Sequence, residues 1–215
     1  DFTIREVKRI GKHAQGTIAY TTSPVHDLNT WLDLAKKIED AGADSLAIKD
    51  MAGLLRPFDA YELVKNLKST LSIPIHMQTH ATTGMSTATN MKAIEAGIDN
   101  IDTSISSLSM TYGHTATETM LAIFENQERE INLDLSALEE VSSFFKEIRD
   151  KYSEFEGNLK GVDSSMLVKQ VPGGMLSNLE SQLRANKQED KIDQVKDEIP
   201  RVRKDFGYPP LVTPA

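Results

Sequence analysis

The chain has 215 residues, 39% of them apolar and 26% charged, the profile of a globular domain rather than a disordered or fibrous segment. A formal net charge of −8 argues against a nucleic-acid partner, which calls for a clustered basic face, and no apolar run approaches the roughly 20 residues of a membrane span. Cysteine is absent, which excludes disulfides, thiolate metal sites and cysteine nucleophiles; any metal must be held through nitrogen and oxygen, and a cytoplasmic location is the default expectation.

From the N-terminus, β-branched and apolar runs alternate with stretches of helical periodicity. Strands are predicted over His13–Tyr20, Asp44–Lys49, Ile73–His80 and Asn100–Ser104, with helices over Leu28–Ala41, Pro57–Leu71 and Thr87–Ala96 between them. Pro57 suits a first helical turn, and Gly42 and Gly97 stand where a left-handed C-cap residue belongs. Ala41-Gly42-Ala43-Asp44 recurs as Ala96-Gly97-Ile98-Asp99, each time between a helix and a strand. Strands alternating with helices imply a parallel sheet with right-handed crossovers, either an open doubly wound sheet or a TIM barrel.

From about Thr115 only helices are predicted, over Thr115–Glu125, Leu138–Tyr152, Asn178–Ala185 and Asp190–Phe206, the last interrupted at Pro200. Thr115 with Glu118 and Ser136 with Glu139 read as capping boxes. A boundary within Asn126–Asn132 divides a strand-bearing part, 1–128, from a helical part, 129–215. Four parallel strands are too few for a barrel of about eight. As an open sheet they would leave two edges exposed. The expectation is therefore a longer polypeptide, with a strand-bearing segment before Asp1.

Parallel α/β folds bind ligands at the carboxyl ends of their strands. Lys49 ends the second predicted strand, and His76, Gln78 and His80 alternate along one face of the third. Two readings stand side by side. A strand-end lysine is commonly solvated or ion-paired, whereas two imidazoles and an amide on one face can converge on zinc, manganese or cobalt. Val171-Pro172-Gly173-Gly174-Met175-Leu176-Ser177-Asn178-Leu179 lacks the Lys-Ser/Thr of a phosphate loop. By pattern, Ser177 with Glu180 caps the helix that follows.

Three segments occur in matching order: Ile48-Lys49-Asp50-Met51-Ala52-Gly53, His80-Ala81-Thr82-Thr83-Gly84-Met85, and Pro172-Gly173-Gly174-Met175-Leu176-Ser177-Asn178-Leu179. Together they resemble the carboxyltransferase component of biotin-dependent keto-acid enzymes, namely the oxaloacetate decarboxylase α subunit and the separate carboxyltransferase subunit of two-subunit pyruvate carboxylases. The resemblance runs over essentially the whole chain. It implies an α/β architecture in which residues 1–128 form strands five to eight of a TIM barrel, the N-terminal barrel half being absent, and residues 129–215 form a helical funnel-like region that completes the active site.

By the same resemblance Lys49 is a metal-binding lysine carboxylated on its amine, and His80 is a histidine ligand. Gln78 stands where the family carries its other histidine ligand, and His76, one pleat away, is a substitute. Ser177 falls where the family has a threonine that shuttles a proton. The implied partners are an oxaloacetate or pyruvate substrate, a biotinyl carrier domain, and either a biotin carboxylase or membrane decarboxylase subunits that would make the chain peripheral to a membrane. A homodimer is also implied. The reaction expected is metal-dependent carboxyl transfer between biotin and a keto acid, with the 215 residues alone inactive. The alternatives are a degenerate subunit that only binds partners, suggested by Gln78, and a metal-dependent aldolase, which leaves the Pro-Gly-Gly-Met segment unexplained.

Overall fold

The computed structural model describes residues 2–127, 131–157, 159–171 and 173–211, apart from the side chains of residues 173, 174, 176 and 177. A helix not predicted from the sequence, α1 (Phe2–Arg9), precedes β1 (Gln15–Ala19). Then follow α2 (Leu28–Asp40), β2 (Ser45–Asp50), α3 (Pro57–Thr70), β3 (Ile75–Thr79), α4 (Ser86–Glu95) and β4 (Asn100–Ile101). The predicted strands and helices are all present, though the fourth strand ends at Ile101. Ser104 makes only an isolated bridge to Ala116.

The four strands are parallel and lie in the order β1-β2-β3-β4. A doubly wound sheet reverses its strand order at a switch point, and this sheet does not. Each strand beside the next is the order of a barrel wall. The pleat divides the sheet into unlike faces. Ile18, Leu46, Ile48, Ile75 and Met77 are fully buried against Trp31, Ala35, Ala60, Leu63, Val64, Leu67 and Ala93. Each large aliphatic side chain so buried contributes roughly 1.5–3 kcal/mol. The other face carries Gln15, Thr17, Ala19, Ser45, Ala47, Lys49, His76 and Gln78, with Ala19 opposite Lys49 and Lys49 opposite Gln78.

The repeated Ala-Gly-x-Asp units perform one structural task twice. Gly42 and Gly97 adopt φ of +94° and +96°, ending α2 and α4 in the left-handed region that a side chain disfavours. Asp44 then accepts the Ala14 N–H at 2.8 Å, and Asp99 accepts the Ile75 N–H at 2.8 Å. Each carboxylate thus satisfies a main-chain donor at the amino end of the preceding strand. Lys8 bonds Asp44, and Lys68 bonds Asp99.

The C-terminal part comprises α5 (Thr117–Phe124), α6 (Leu135–Lys151), α7 (Met166–Lys169), α8 (Gly173–Ala185) and α9 (Ile192–Asp205). Its capping differs from expectation. Thr115 bonds Ser86, and Glu118 accepts the Ser106 N–H, so both members of the first predicted box serve tertiary contacts. The cap of α6 is Asp134, which accepts the Ala137 N–H at 3.0 Å, and Ser136 lies inside the helix. Aspartate caps as well as serine does, and the earlier of the two sites prevails. Helix α8 begins at Gly173, so Ser177 is an interior position rather than an N-cap. Nor does Pro200 interrupt α9, which continues through it at the loss of one main-chain hydrogen bond.

Arg203 of α9, 6% exposed, joins the helical part to the sheet. Its guanidinium donates to Thr21 Oγ1 at 2.6 Å, Thr22 O at 3.2 Å, Pro209 O at 3.1 Å and the Gln170 amide oxygen. Gln170 in turn donates to Thr22 Oγ1 at 2.9 Å. Every acceptor is neutral, and their fan-like placement matches a planar fork rather than an ammonium. Replacing Arg203 with Lys should therefore cost about 2 kcal/mol or more of stability and make the segment after Gln170 more sensitive to limited proteolysis. An unchanged urea midpoint and cleavage pattern would show that the fork is dispensable.

Candidate functional site

The site is built on Asp50, the last residue of β2. Its side chain is fully buried and accepts the N–H groups of Leu54 at 2.8 Å and Leu55 at 2.9 Å, and the Thr79 hydroxyl at 2.9 Å. Asp50 O accepts the His80 N–H at 3.0 Å. One residue thus ties the loop after β2 to the end of β3. Gly53, at the turn of that loop, has φ +66°, and a Cβ there would stand 2.6 Å from His80 O. The Thr83 hydroxyl donates to Gly53 O at 2.6 Å, completing the lock between the two loops.

Lys49 and Gln78 face each other across β2 and β3 on the polar side of the sheet. His80 follows in the same alternation. Burial, together with the charges of His114 and Lys49, holds its imidazole below the ordinary pKa, which favours the neutral ring. The His80 Nδ1 lies 2.6 Å from Tyr112 O, so that nitrogen carries the proton and Nε2 keeps a lone pair. His76 shares the face but is engaged elsewhere: its Nε2 stands 2.6 Å from Asp102. Ser177 lies within α8 with its side chain outside the described residues, and Pro172 lies outside them altogether.

His114 belongs to this group and was not singled out in the sequence. Its ring centroid is 4.6 Å from that of His80, and its Nε2 is 3.4 Å from the Gln78 amide nitrogen. The loop from Ser104 to Ala116 folds back over the end of β3, where Gly113 O accepts the Ala81 N–H at 2.8 Å. The available signal was its position: a histidine in the loop after the fourth strand lies at the carboxyl end of the sheet.

As a metal-binding set these residues offer two imidazoles, an amide and an amine; among the described residues no three His, Asp or Glu side chains gather around one point. Imidazole nitrogens suit a borderline divalent ion. The set fits such an ion if a hard anionic oxygen joins it, and a carbamate on Lys49 is one source within the segment. A separate apolar groove of about 320 Å³, lined by Ile94, Ile101, Met120, Phe124 and Leu133, contains none of these groups.

Parallel βα units with polar side chains gathered at the strand ends define an α/β domain of the kind that binds ligands there. Residues 2–145 match the HMGL-like family and residues 166–215 match the conserved carboxylase domain; the chain belongs to the HMGL-like family. It is 51% identical over 211 residues to the methylmalonyl-CoA carboxyltransferase 5S subunit of Propionibacterium freudenreichii subsp. shermanii, covering 97% of this chain and 42% of that one. It is 48% identical over 212 residues to a pyruvate carboxylase subunit of Methanocaldococcus jannaschii, covering 98% and 37%. The carboxyl transferase domain of Rhizobium etli pyruvate carboxylase, solved with pyruvate, superposes with a TM-score of 0.94 at 32% identity over 99% of this chain and 37% of that one. The chain therefore spans less than half the length of these relatives.

Two outcomes test the scaffold. A side chain at Gly53 meets both an unfavourable φ and the His80 carbonyl, so Gly53→Ala should lower stability by about 1–3 kcal/mol in denaturant titration. A smaller loss than about 0.5 kcal/mol would show that the loop relaxes freely. Burial pushes the Asp50 carboxyl from 3.8 up to about 6, although the Leu55, Leu54 and Thr79 donors favour the anion. Between those values the folded chain holds a proton that the unfolded chain has released, so this contribution is full below the unfolded value and is lost as pH rises through the window. The loss is on the order of 3 kcal/mol at most. Urea midpoints of the wild type should fall relative to Asp50→Asn from about pH 4 to about pH 6; parallel curves would contradict the shift.

Proposed function

We propose that this chain is part of a biotin-dependent carboxyltransferase that moves a carboxyl group between biotin and a keto acid of the oxaloacetate/pyruvate pair. The observation that carries the reading is the convergence of Lys49, Gln78 and His80 at the carboxyl ends of β2 and β3. It is supported by the family match and by relatives whose names specify carboxyl transfer or carboxylation. The polar face of the sheet is, on this reading, the inner wall of strands five to eight of a TIM barrel. The segment to 128 is the barrel part, and 129–215 is the helical funnel-like part.

Lys49, as a carbamate, and His80 hold a divalent ion, zinc, manganese or cobalt, with Gln78 at the position of a second histidine. The bound ion supplies Lewis-acid polarisation of the keto oxygen. Gln78 offers an amide oxygen, a weaker donor than imidazole. His76 has its Nε2 taken up by Asp102 at 2.6 Å, which leaves it poorly placed to substitute as a ligand. Ser177 holds and moves the proton between keto acid and biotin, a general acid–base role its hydroxyl can fill by donating and accepting. Biotin arrives on a carrier domain; a biotin carboxylase or membrane decarboxylase subunits set the direction, and the working form is a cytoplasmic homodimer.

The test uses the full-length protein with oxaloacetate and free biotin, following pyruvate with lactate dehydrogenase and NADH. Biotin should stimulate pyruvate release, and Ser177→Ala should reduce the stimulated rate about 100-fold or more. Absence of any biotin dependence would overturn the reaction, whereas full activity of Ser177→Ala would remove only the role of Ser177.

A further inference from the structure

We infer that His114 is the second imidazole ligand of the metal position, supplying the nitrogen that Gln78 lacks. The inference rests on the metal site proposed above and assigns it a residue from a different loop. Three observations support it.

The first is proximity. The rings of His80 and His114 stand 4.6 Å apart and tilted by 51°, and His114 Nε2 reaches the side chain of Gln78. The second is the state of the ring. His114 Nδ1 lies 3.0 Å from Thr79 O, and a carbonyl only accepts, so Nδ1 is the donor nitrogen and Nε2 is the one left to coordinate. His80 is held the same way by Tyr112 O. The arrangement is reciprocal: the strand end that carries His80 orients His114, and the loop that carries His114 orients His80. A main-chain carbonyl on the far nitrogen is the usual support of a metal-binding histidine.

The third is that the lone pair of His114 is not taken up by a strong bond. The Gln78 amide nitrogen faces it at 3.4 Å, the long end of hydrogen bonding. The backbone between the two loops is itself fixed, because Ala81 N–H donates to Gly113 O at 2.8 Å. Two imidazoles whose Nδ1 atoms are held by main-chain carbonyls, Tyr112 O and Thr79 O, therefore stand side by side before any ion arrives. An amide where a histidine is expected then costs the site little, because the nitrogen comes from the loop after β4.

The experiment uses the full-length protein stripped of metal and titrated with Co2+, read by metal stoichiometry, by chelator competition and by the visible ligand-field spectrum. His114→Ala and the more conservative His114→Asn should each weaken Co2+ binding about 10-fold to 100-fold or more and change the spectrum. Adding Gln78→His to either variant should restore affinity and a two-imidazole spectrum. Thermal melts of the metal-free proteins identify a variant that fails to fold; His114→Asn can still donate to Thr79 O. Wild-type affinity and spectrum in a folded His114 variant would overturn the inference and leave the metal site standing. So would weaker binding with an unchanged spectrum that Gln78→His does not rescue. Failure of both wild type and Gln78→His to bind Co2+ would overturn the metal site and this inference together.

Discussion

The buried carboxyl of Asp50 is the constraint on which the site depends. A carboxyl group removed from water must meet donors inside the protein, and here Leu54, Leu55 and Thr79 provide them. Those donors belong to two different segments, so satisfying one side chain sets the path of the loop after β2 against the end of β3. Lys49 precedes Asp50 and His80 follows Thr79. The groups with chemical potential are thereby the immediate neighbours of the groups that make the structural bond. Gly53 completes the arrangement because only a residue without Cβ lets the loop pass His80 O so closely.

The sheet separates support from chemistry by simple alternation. Residues facing α2, α3 and α4 are aliphatic and fully buried, and their packing holds the strands in register. Residues facing the other way are Gln, Thr, Ser, Lys and His with two alanines, Ala19 and Ala47, a face without the large aliphatic side chains that pack against helices. In the barrel proposed for the complete protein, that face lines the interior, and its carboxyl end is where keto acid and metal would meet. The helical part is tied to the same end of the sheet through Arg203 and Gln170, and through Asp163, whose N–H donates to Thr82 O.

On the proposed assignment, the two histidines at the mouth of the sheet let a ligand missing from one element be supplied by another. Gln78 lies on β3, whose register leaves it opposite Lys49 whatever its chemistry. His114 lies on a loop held to β3 by main-chain hydrogen bonds, and so can present an imidazole to the same place. Since the loop's position is set by backbone bonding, such a replacement needs no change in the scaffold.

The periodicity of the chain determined the four strands, the three helices between them and the shared face of His76 and Gln78, because alternation and helical spacing are local and the left-handed glycines at 42 and 97 mark the helix ends. The motif order likewise identified the family to which residues 2–145 belong. Only the tertiary structure decided the roles of Thr115 and Glu118, which match a local capping pattern but bond Ser86 and Ser106 instead, whereas the cap of α6 at Asp134 is itself local. It also decided that Pro200 stays within α9, that Arg203 bonds Thr21 far away in sequence, that His76 turns to Asp102, and that His114 stands beside His80. Each depends on which segments meet across the fold. Spacing along the chain carries no information about such long-range contacts.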